Sequence, residues 1–394
     1  MNRDIIVIGG NHHNTLAVIR SLGEKGIKPL LIVVSDDPKP YVGYSKYIKD
    51  KRIVKRIEDI SSAMFSIRNT SEKAVVIACS DGISSYLDTN YNSLCDYFIL
   101  PGSLEQGKIT RLMNKNEMMQ LASEAGLVVP KSRVVHLSRP EIENIVYPCI
   151  AKPLISKNGS KKDIAICRSK SDMLNFLKHC NCEDLQIQTY IIKEIEFQLI
   201  GCSLNSGQQV IIPGASVILR QPDNTNTGFL RYVPIRDFFY DSASCVRFIK
   251  NTGYSGLFSL EFIRDKKGID YFMEINFRND GNSICVTASG MNLPYIWYSF
   301  NCGKSIEKEL SFESMKEVLV MPEFNDISNA IHREISWTQW LKDVWHTDRF
   351  MEFSKHDQVP FWVALHKRLF SIKSSFKKML NVFFIIEMII TLII

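Results

Sequence analysis

Ten cysteines are spread through the 394 residues, yet no two are spaced as Cys-x-x-Cys. The closest pair, Cys180 and Cys182 beside His179, does not match a four-ligand zinc framework, so reduced thiols are expected. No secretory leader is expected either. Met1 to Asp4 runs straight into an apolar stretch, without the basic start, long apolar core and small-residue cleavage site of such a signal, and a cytoplasmic location is expected. No internal repeat or low-complexity tract is present. With 45% hydrophobic and 23% charged residues, 20 Gly and 14 Pro, the composition excludes collagen-like, disordered and multi-span membrane classes. A large excess of one charge is lacking too. The net charge is +6, and four of those charges fall in residues 366–394, so the body offers little for general nucleic-acid binding. A basic stretch from Lys46 to Arg56 reads as a solvated loop or as a phosphate site.

What is present suits two or three domains. The apolar runs Asp4–Ile8, Pro29–Val34, Ala74–Cys79 and Tyr97–Leu100 alternate with helix-like stretches at 14–25 and 58–69, which predicts a parallel sheet in an α/β domain over 1–105. The turn after the first run reads GGNHHN and lacks the spaced glycines of a dinucleotide fingerprint. His12 and His13 at that turn are neighbours that point apart on a helix start, so they make a poor metal pair; an exposed turn and a place near a ligand both remain open. A boundary near Pro101–Lys108 leads into a second region, 106–303. Its strand candidates, Cys149–Leu154, Ile164–Cys167, Leu185–Ile191, Glu196–Leu204, Val210–Leu219, Gly256–Ile263 and Tyr271–Asn276, predict a largely antiparallel α+β domain.

The most informative segment is GLFSLEFIRDKKGIDYFMEINFRNDG, residues 256–281, which reads as a hairpin with a turn at Lys266, Lys267 and Gly268. Glu261 lies inside the first strand, and Glu274 and Asn276 share one face of the second. Hard oxygen ligands converging there suit Mg²⁺ on phosphates, and Arg278 on the same face suits a developing oxyanion. Acids facing solvent are the alternative. No Ser-His-Asp or Cys-His constellation is evident.

The set Glu261, Glu274, Asn276 and Arg278 resembles the magnesium and catalytic signature of the ATP-grasp superfamily, carboxylate–amine ligase type. Other fragments resemble the family in its order. Lys115 in NKNEMMQLASEAGLVVP and Lys152 in YPCIAKPL match its two phosphate lysines. In QIQTYIIKEIEFQLI, Tyr190 and Ile191 match the adenine hinge and Glu194 the ribose-holding acid. The loop ISKNGSKKD departs from the pattern, with Gly159 alone where relatives are glycine-rich, although it keeps Lys157, Lys161 and Lys162. The resemblance covers roughly residues 1–300. It implies a pre-ATP-grasp-like α/β N-terminal domain with a parallel sheet, followed by an α+β ATP-grasp fold with antiparallel sheets. The implied cofactors are ATP and one or two Mg²⁺, with Mn²⁺ as a substitute. The implied reaction phosphorylates a carboxylate, lets an amine attack the acyl phosphate, and releases ADP and phosphate. Glu261, Glu274 and Asn276 would hold metal, and Arg278 would stabilise the acyl phosphate or its adduct.

For the substrates, Arg220 and Arg231 in RQPDNTNTGFLRYVPIR are candidate carboxylate forks, with exposed loop arginines as the alternative. Asp81 in CSDG is a candidate pocket wall or a helix cap. Beyond 303 an extension over 304–365 carries Trp337, Trp340, Trp345 and Trp362, expected as packing aromatics. The tail, 366–394, is basic and then apolar, too short to span a bilayer and broken by Glu387. It reads as an interfacial membrane anchor or as a helix packed on protein. The tail and HDQVPFW at 356–362 resemble ligases of bacterial surface-polysaccharide assembly, which implies an amino acid joined to a sugar acid. A cytoplasmic amino-acid or dipeptide ligase and a non-catalytic ATP-binding regulatory module are the competing readings. A homodimer is the base-rate expectation, and no nucleic-acid partner is expected.

Overall fold

Short apolar segments separated by helices leave the first hundred residues one economical arrangement, in which each buried strand is covered by crossover helices. A computed structural model describes residues 3–68, 71–138, 142–153, 164–180, 182–221 and 227–371. Strands β1 (Ile5–Gly10), β2 (Leu30–Val34), β3 (Asp50–Val54), β4 (Ala74–Ala78) and β5 (Phe98–Ile99) form a sheet in the order β3-β2-β1-β4-β5. All its pairings are parallel. Strand order reverses between β1 and β4, so their carboxyl ends open a crevice of the kind where α/β sheets bind ligands. Gly9 is required there, because a Cβ would fall 2.1 Å from the Thr15 hydroxyl oxygen.

Four strands make a small antiparallel sheet: β6 (Ser132–His136), β7 (Cys149–Pro153), β8 (Ala165–Cys167) and β9 (Asp184–Thr189), in the order β6-β9-β7-β8. The larger sheet begins with β10 (Lys193–Leu204). The run Val210–Leu219, expected as one strand, is divided by Pro213 into β11 (Gln209–Ile211) and β12 (Gly214–Arg220), since proline cannot donate to a ladder. It continues through β13 (Phe229–Pro234), β14 (Gly256–Asp265), β15 (Asp270–Asn276), β16 (Val318–Met321) and β17 (Arg349–Phe350), in the order β15-β14-β10-β12-β13-β16-β17. Residues beyond 303 therefore complete this sheet.

Of the four tryptophans in that extension, Trp340 is fully buried, with Phe229, Met321 and Val344 around it. Trp345 is 66% exposed, and Trp337 and Trp362 are each 37% exposed. The packing role expected of all four thus falls on Trp340. The extension also returns to the N-terminal domain: buried Arg20 donates to the Asp357 carboxylate at 3.1 Å and to its carbonyl at 2.8 Å. Asp357 belongs to the HDQVPFW segment and serves packing. Residues 372–394 lie outside the described residues, and no described helix is long and apolar enough to cross a membrane.

Candidate active site

The hairpin β14–β15 pairs Glu261 directly with Glu274 and Ser259 with Asn276. A bulge follows, with Phe262 opposite Phe272 and Met273 left over. That extra residue reverses the alternation. Phe272 and Phe262 therefore pack inward with Phe197 and Phe248, while Glu274 and Asn276 face a cavity of about 540 Å³.

Two amides hold Glu261. Asn276 Nδ2 donates to Oε1 at 2.9 Å, and Gln198 Nε2 on the neighbouring strand donates at 3.2 Å. Burial pushes the Glu261 carboxyl up to about 8, with Glu274 and Asp280 adding repulsion. Burial raises Glu274 as well, against the pull of Lys115 and Lys152. Two facing carboxylates that cannot both ionise comfortably are a ready site for a cation. Among the described residues no group of three or more His, Cys, Asp or Glu is placed to hold a metal. The set here is two carboxylates and one amide, and its hard oxygens fit Mg²⁺.

Lys152 lies on β7, buried, with Nζ donating to Gln188 Oε1 at 3.2 Å. Burial first, and then Lys115, pull its amine down to about 8. Lys115 is the first residue of the helix Lys115–Glu124, whose start is capped by Asn114. Its Nζ reaches the Pro153 carbonyl at 3.4 Å, and burial lowers its pKa too, partly offset by Glu274. The backbone thus brings two crowded ammonium groups into the field of the hairpin carboxylates, an arrangement that an anion would relieve. The loop 154–163, with Gly159, Lys157, Lys161 and Lys162, lies outside the described residues.

Arg278 joins the two halves of the cleft. Its guanidinium donates to Asp81 Oδ1 at 3.1 Å, Asp280 Oδ2 at 3.0 Å and Asn276 Oδ1 at 3.0 Å. Burial alone would lower its pKa, but Asp81 and Asp280 outweigh that and hold it above the usual range. The opposite wall comes from the carboxyl ends of β1 and β4, with Gly10, His12, Asn14, Ser80 and Asp81. Asn14 Nδ2 ties these ends to the hairpin through the carbonyls of Cys79 at 2.9 Å and Asn279 at 2.8 Å.

The structure gathers Glu261, Glu274, Asn276, Arg278 and Asp81 on one cavity, with Lys115 and Lys152 beside the carboxylates. It does not gather the rest. Arg220 is corrected: its guanidinium is held by Asp326, at 2.9 and 2.6 Å, and by Asp343. Asp326 is fully buried, so Arg220 is committed to packing the extension. Arg231 is corrected as well, since it is exposed and faces Glu317 at 4.0 Å, outside the cavity lining. Tyr190 and Ile191 are half-buried residues between β9 and β10, and Glu194 is exposed; Glu196, two residues on, lines the cavity instead. Gln198, Asp280 and Asn282 were not foreseen. Asn282 Nδ2 supports Gln198 at 2.8 Å and Asp280 accepts the Ser259 hydroxyl at 2.9 Å. Only the Asn279-Asp280-Gly281 turn directly after Arg278 hinted at them.

No family model matches the sequence. The chain is 23% identical over 319 residues to the D-aspartate ligase of Enterococcus faecium (strain Aus0004), covering 73% of this chain and 74% of that one. In structure it resembles the L-amino acid ligase from Bacillus licheniformis, with a TM-score of 0.62 at 16% identity over 81% of this chain and 80% of the other. It also resembles the biotin carboxylase domain dimer of Hydrogenobacter thermophilus 2-oxoglutarate carboxylase in complex with MgADP, ADP and bicarbonate. That TM-score is 0.62 at 18% identity, over 81% of this chain and 74% of the other. Taken with the ordered motifs and the geometry of the hairpin, these likenesses establish that the chain has the ATP-grasp fold.

Proposed function

We propose that this chain is an ATP-dependent carboxylate–amine ligase, forming an amide through an acyl phosphate and releasing ADP and phosphate. The observation that carries the reading is the Glu261–Glu274 pair, half-buried and face to face on one hairpin with Lys115 and Lys152 in its field. Glu261, Glu274 and the Asn276 amide would hold Mg²⁺, and Lys115 and Lys152 the phosphates. When bound, the metal supplies charge neutralisation and alignment for phosphoryl transfer. Arg278 is a positive charge held in place by Asp81 and Asp280, and exchanging one of those bonds would bring its fork to a developing oxyanion. Asp81 and Asn14 supply polar groups where the second substrate would enter. Paired carboxylates of this cost serve a metal-dependent step better than simple nucleotide binding, which weighs against the regulatory module.

An amino acid as one substrate is supported by the names of the ligases that this chain resembles. A sugar acid as the other substrate, in surface-polysaccharide synthesis, rests on the sequence resemblance of residues 356–362 and 366–394. Contact with the inner membrane face rests on the tail and on the helix Val359–Ser371, whose Val359 and Trp362 line an apolar groove beside Lys39 and Lys367. The test is ADP release from Mg-ATP by wild type and Glu274→Gln, offered a matrix of sugar acids and amino acids that includes D-aspartate. One pair stimulating wild type alone is the expected result. Nucleotide binding without turnover for every pair would overturn the ligase reading. Removing residues 372–394 should abolish sedimentation with anionic vesicles and spare ADP release.

A further inference from the structure

Resting on the ligase reading, we infer that Thr227, His13 and Glu352 form a proton relay that takes the proton from the incoming ammonium substrate. An amine must lose a proton before its lone pair can attack an acyl phosphate, and the hairpin carboxylates are committed to metal. A separate acceptor is needed.

His13 opens the helix His13–Glu24 and is only 2% exposed. Its two ring nitrogens face different partners. Nε2 lies 3.3 Å from the Thr227 hydroxyl, and Thr227 lines the cavity. Nδ1 lies 3.5 Å from Glu352 Oε1. Gly281, also on the cavity wall, abuts both groups: a Cβ there would touch His13 Nε2 at 3.5 Å and the Thr227 hydroxyl at 3.8 Å. Thr227 thus stands between the cavity and His13, whose other ring nitrogen faces the Glu352 carboxylate.

Its far end is built to accept a proton. Glu352 is 1% exposed, and its carboxyl is hydrogen-bonded to the buried carboxyl of Glu323. Glu323, itself buried, accepts the backbone N–H groups of Met351 at 3.1 Å, Glu352 at 3.3 Å and Phe353 at 2.5 Å. Burial raises both carboxyls, and Glu323 is raised further by Glu352. Arg20 and Arg368 face Glu352 from the two flanking helices, and Tyr41 feels the same charges. Burial lowers His13 to about 4, against the pull of Glu323 and Asp280 and with the push of Arg368; the His12 ring lies tilted beside it, centroids 3.8 Å apart. A neutral imidazole between a hydroxyl and a proton-hungry carboxylate hands a proton on rather than keeping it.

The step balances. The ammonium gives one N–H proton to the Thr227 oxygen, the Thr227 hydroxyl gives its own to His13 Nε2, and His13 gives its Nδ1 proton to Glu352. The freed lone pair forms the C–N bond. The C–O bond to phosphate breaks, its electron pair leaves with phosphate, and the second amine proton departs with that leaving group. His13 and Glu352 are positioning residues that act through the Thr227 hydroxyl.

Hydroxylamine, already unprotonated at neutral pH, separates activation from deprotonation. With the carboxylate and amino acid that first stimulate ADP release, amide and hydroxamate formation are compared in wild type, Thr227→Val, Thr227→Ser and Glu352→Gln across the amine's pKa. Thr227→Val and Glu352→Gln should lower the amide-to-hydroxamate ratio at neutral pH by at least about ten-fold. The deficit should close as the pH rises above the amine's pKa, and Thr227→Ser should restore the ratio. An unchanged ratio in Thr227→Val, or one that no pH recovers, overturns the relay. If wild type forms no hydroxamate from any carboxylate, the ligase reading fails and the relay with it.

Discussion

Replacing Glu261 with Gln should abolish turnover and yet stabilise the protein free of nucleotide, because a carboxylate placed for a cation opposes folding when the cation is away. Burial and Glu274 lift Glu261 from an ordinary 4.5 to about 8. The sign follows from linkage. Below about 4.5 the group is protonated folded or unfolded and costs nothing; as the pH rises toward 8 the unfolded chain releases the proton and the folded one retains it, so stability falls. At about 1.36 kcal/mol per unit the full shift amounts to about 4–5 kcal/mol. Glu261 opens on the cavity, where water screens part of that, and about 2 kcal/mol is the working figure. Gln keeps an oxygen for Asn276 and Gln198 and loses the charge. Thermal unfolding without nucleotide should therefore rise by a few degrees above pH 8 and by nothing near pH 4.5. Adding Mg-ATP should stabilise wild type far more than the variant. Equal or lower stability of Glu261→Gln above pH 8 would refute the reasoning.

Lys152→Met should raise the KM for ATP at least about ten-fold, read from ADP release. In wild type that KM should climb as the pH passes 8, where Lys152 loses its charge, and the climb should be missing in the variant. Arg278→Lys keeps the charge and loses the fork across Asp81, Asp280 and Asn276, so kcat should fall about a hundred-fold with little change in ATP affinity. Arg220→Met strands the buried Asp326. It should cost about 3 kcal/mol in urea unfolding and leave both substrate KM values unchanged, the opposite of what a substrate arginine would show.

The shared face of Glu274 and Asn276 was legible because the two sit two apart in an apolar strand, and so was the N-terminal sheet, whose apolar runs are separated by helix-length segments. The bulge at Met273 was not legible, although it alone reconciles Phe272 in the core with Glu274 in the cleft. A single added residue has no signature in alternation. Arg220 misled for a related reason. An arginine in a polar stretch looks the same whether it awaits a ligand or pairs with Asp326, which lies 106 residues away. Gln198 and Asn14 were overlooked because an amide in a strand or at a helix start is ordinary, and only the fold shows which oxygen it serves. The same limit hid Glu352. Nothing near it in sequence signals the imidazole of His13, which reaches it only because the extension closes over the N-terminal domain.

The cleft's charges are also sorted by element, and that sorting bears on the order of events. Glu261 and Glu274 lie on one hairpin and Asp280 just beyond it, while Lys115 and Lys152 come from a helix start and from the small sheet. Arg278 is fixed between Asp81 and Asp280 at the seam of the two halves. Burial and like-charge repulsion act at both poles at once, holding Glu261 up and Lys152 down. A metal alone would relieve one pole and a polyanion alone the other; only the two together relieve both. The arrangement therefore favours joint binding of cation and triphosphate, since each lowers the cost of the other in the same field. Added Mg²⁺ should tighten ATP in wild type and do so less in Glu261→Gln, because part of the coupling passes through that carboxylate.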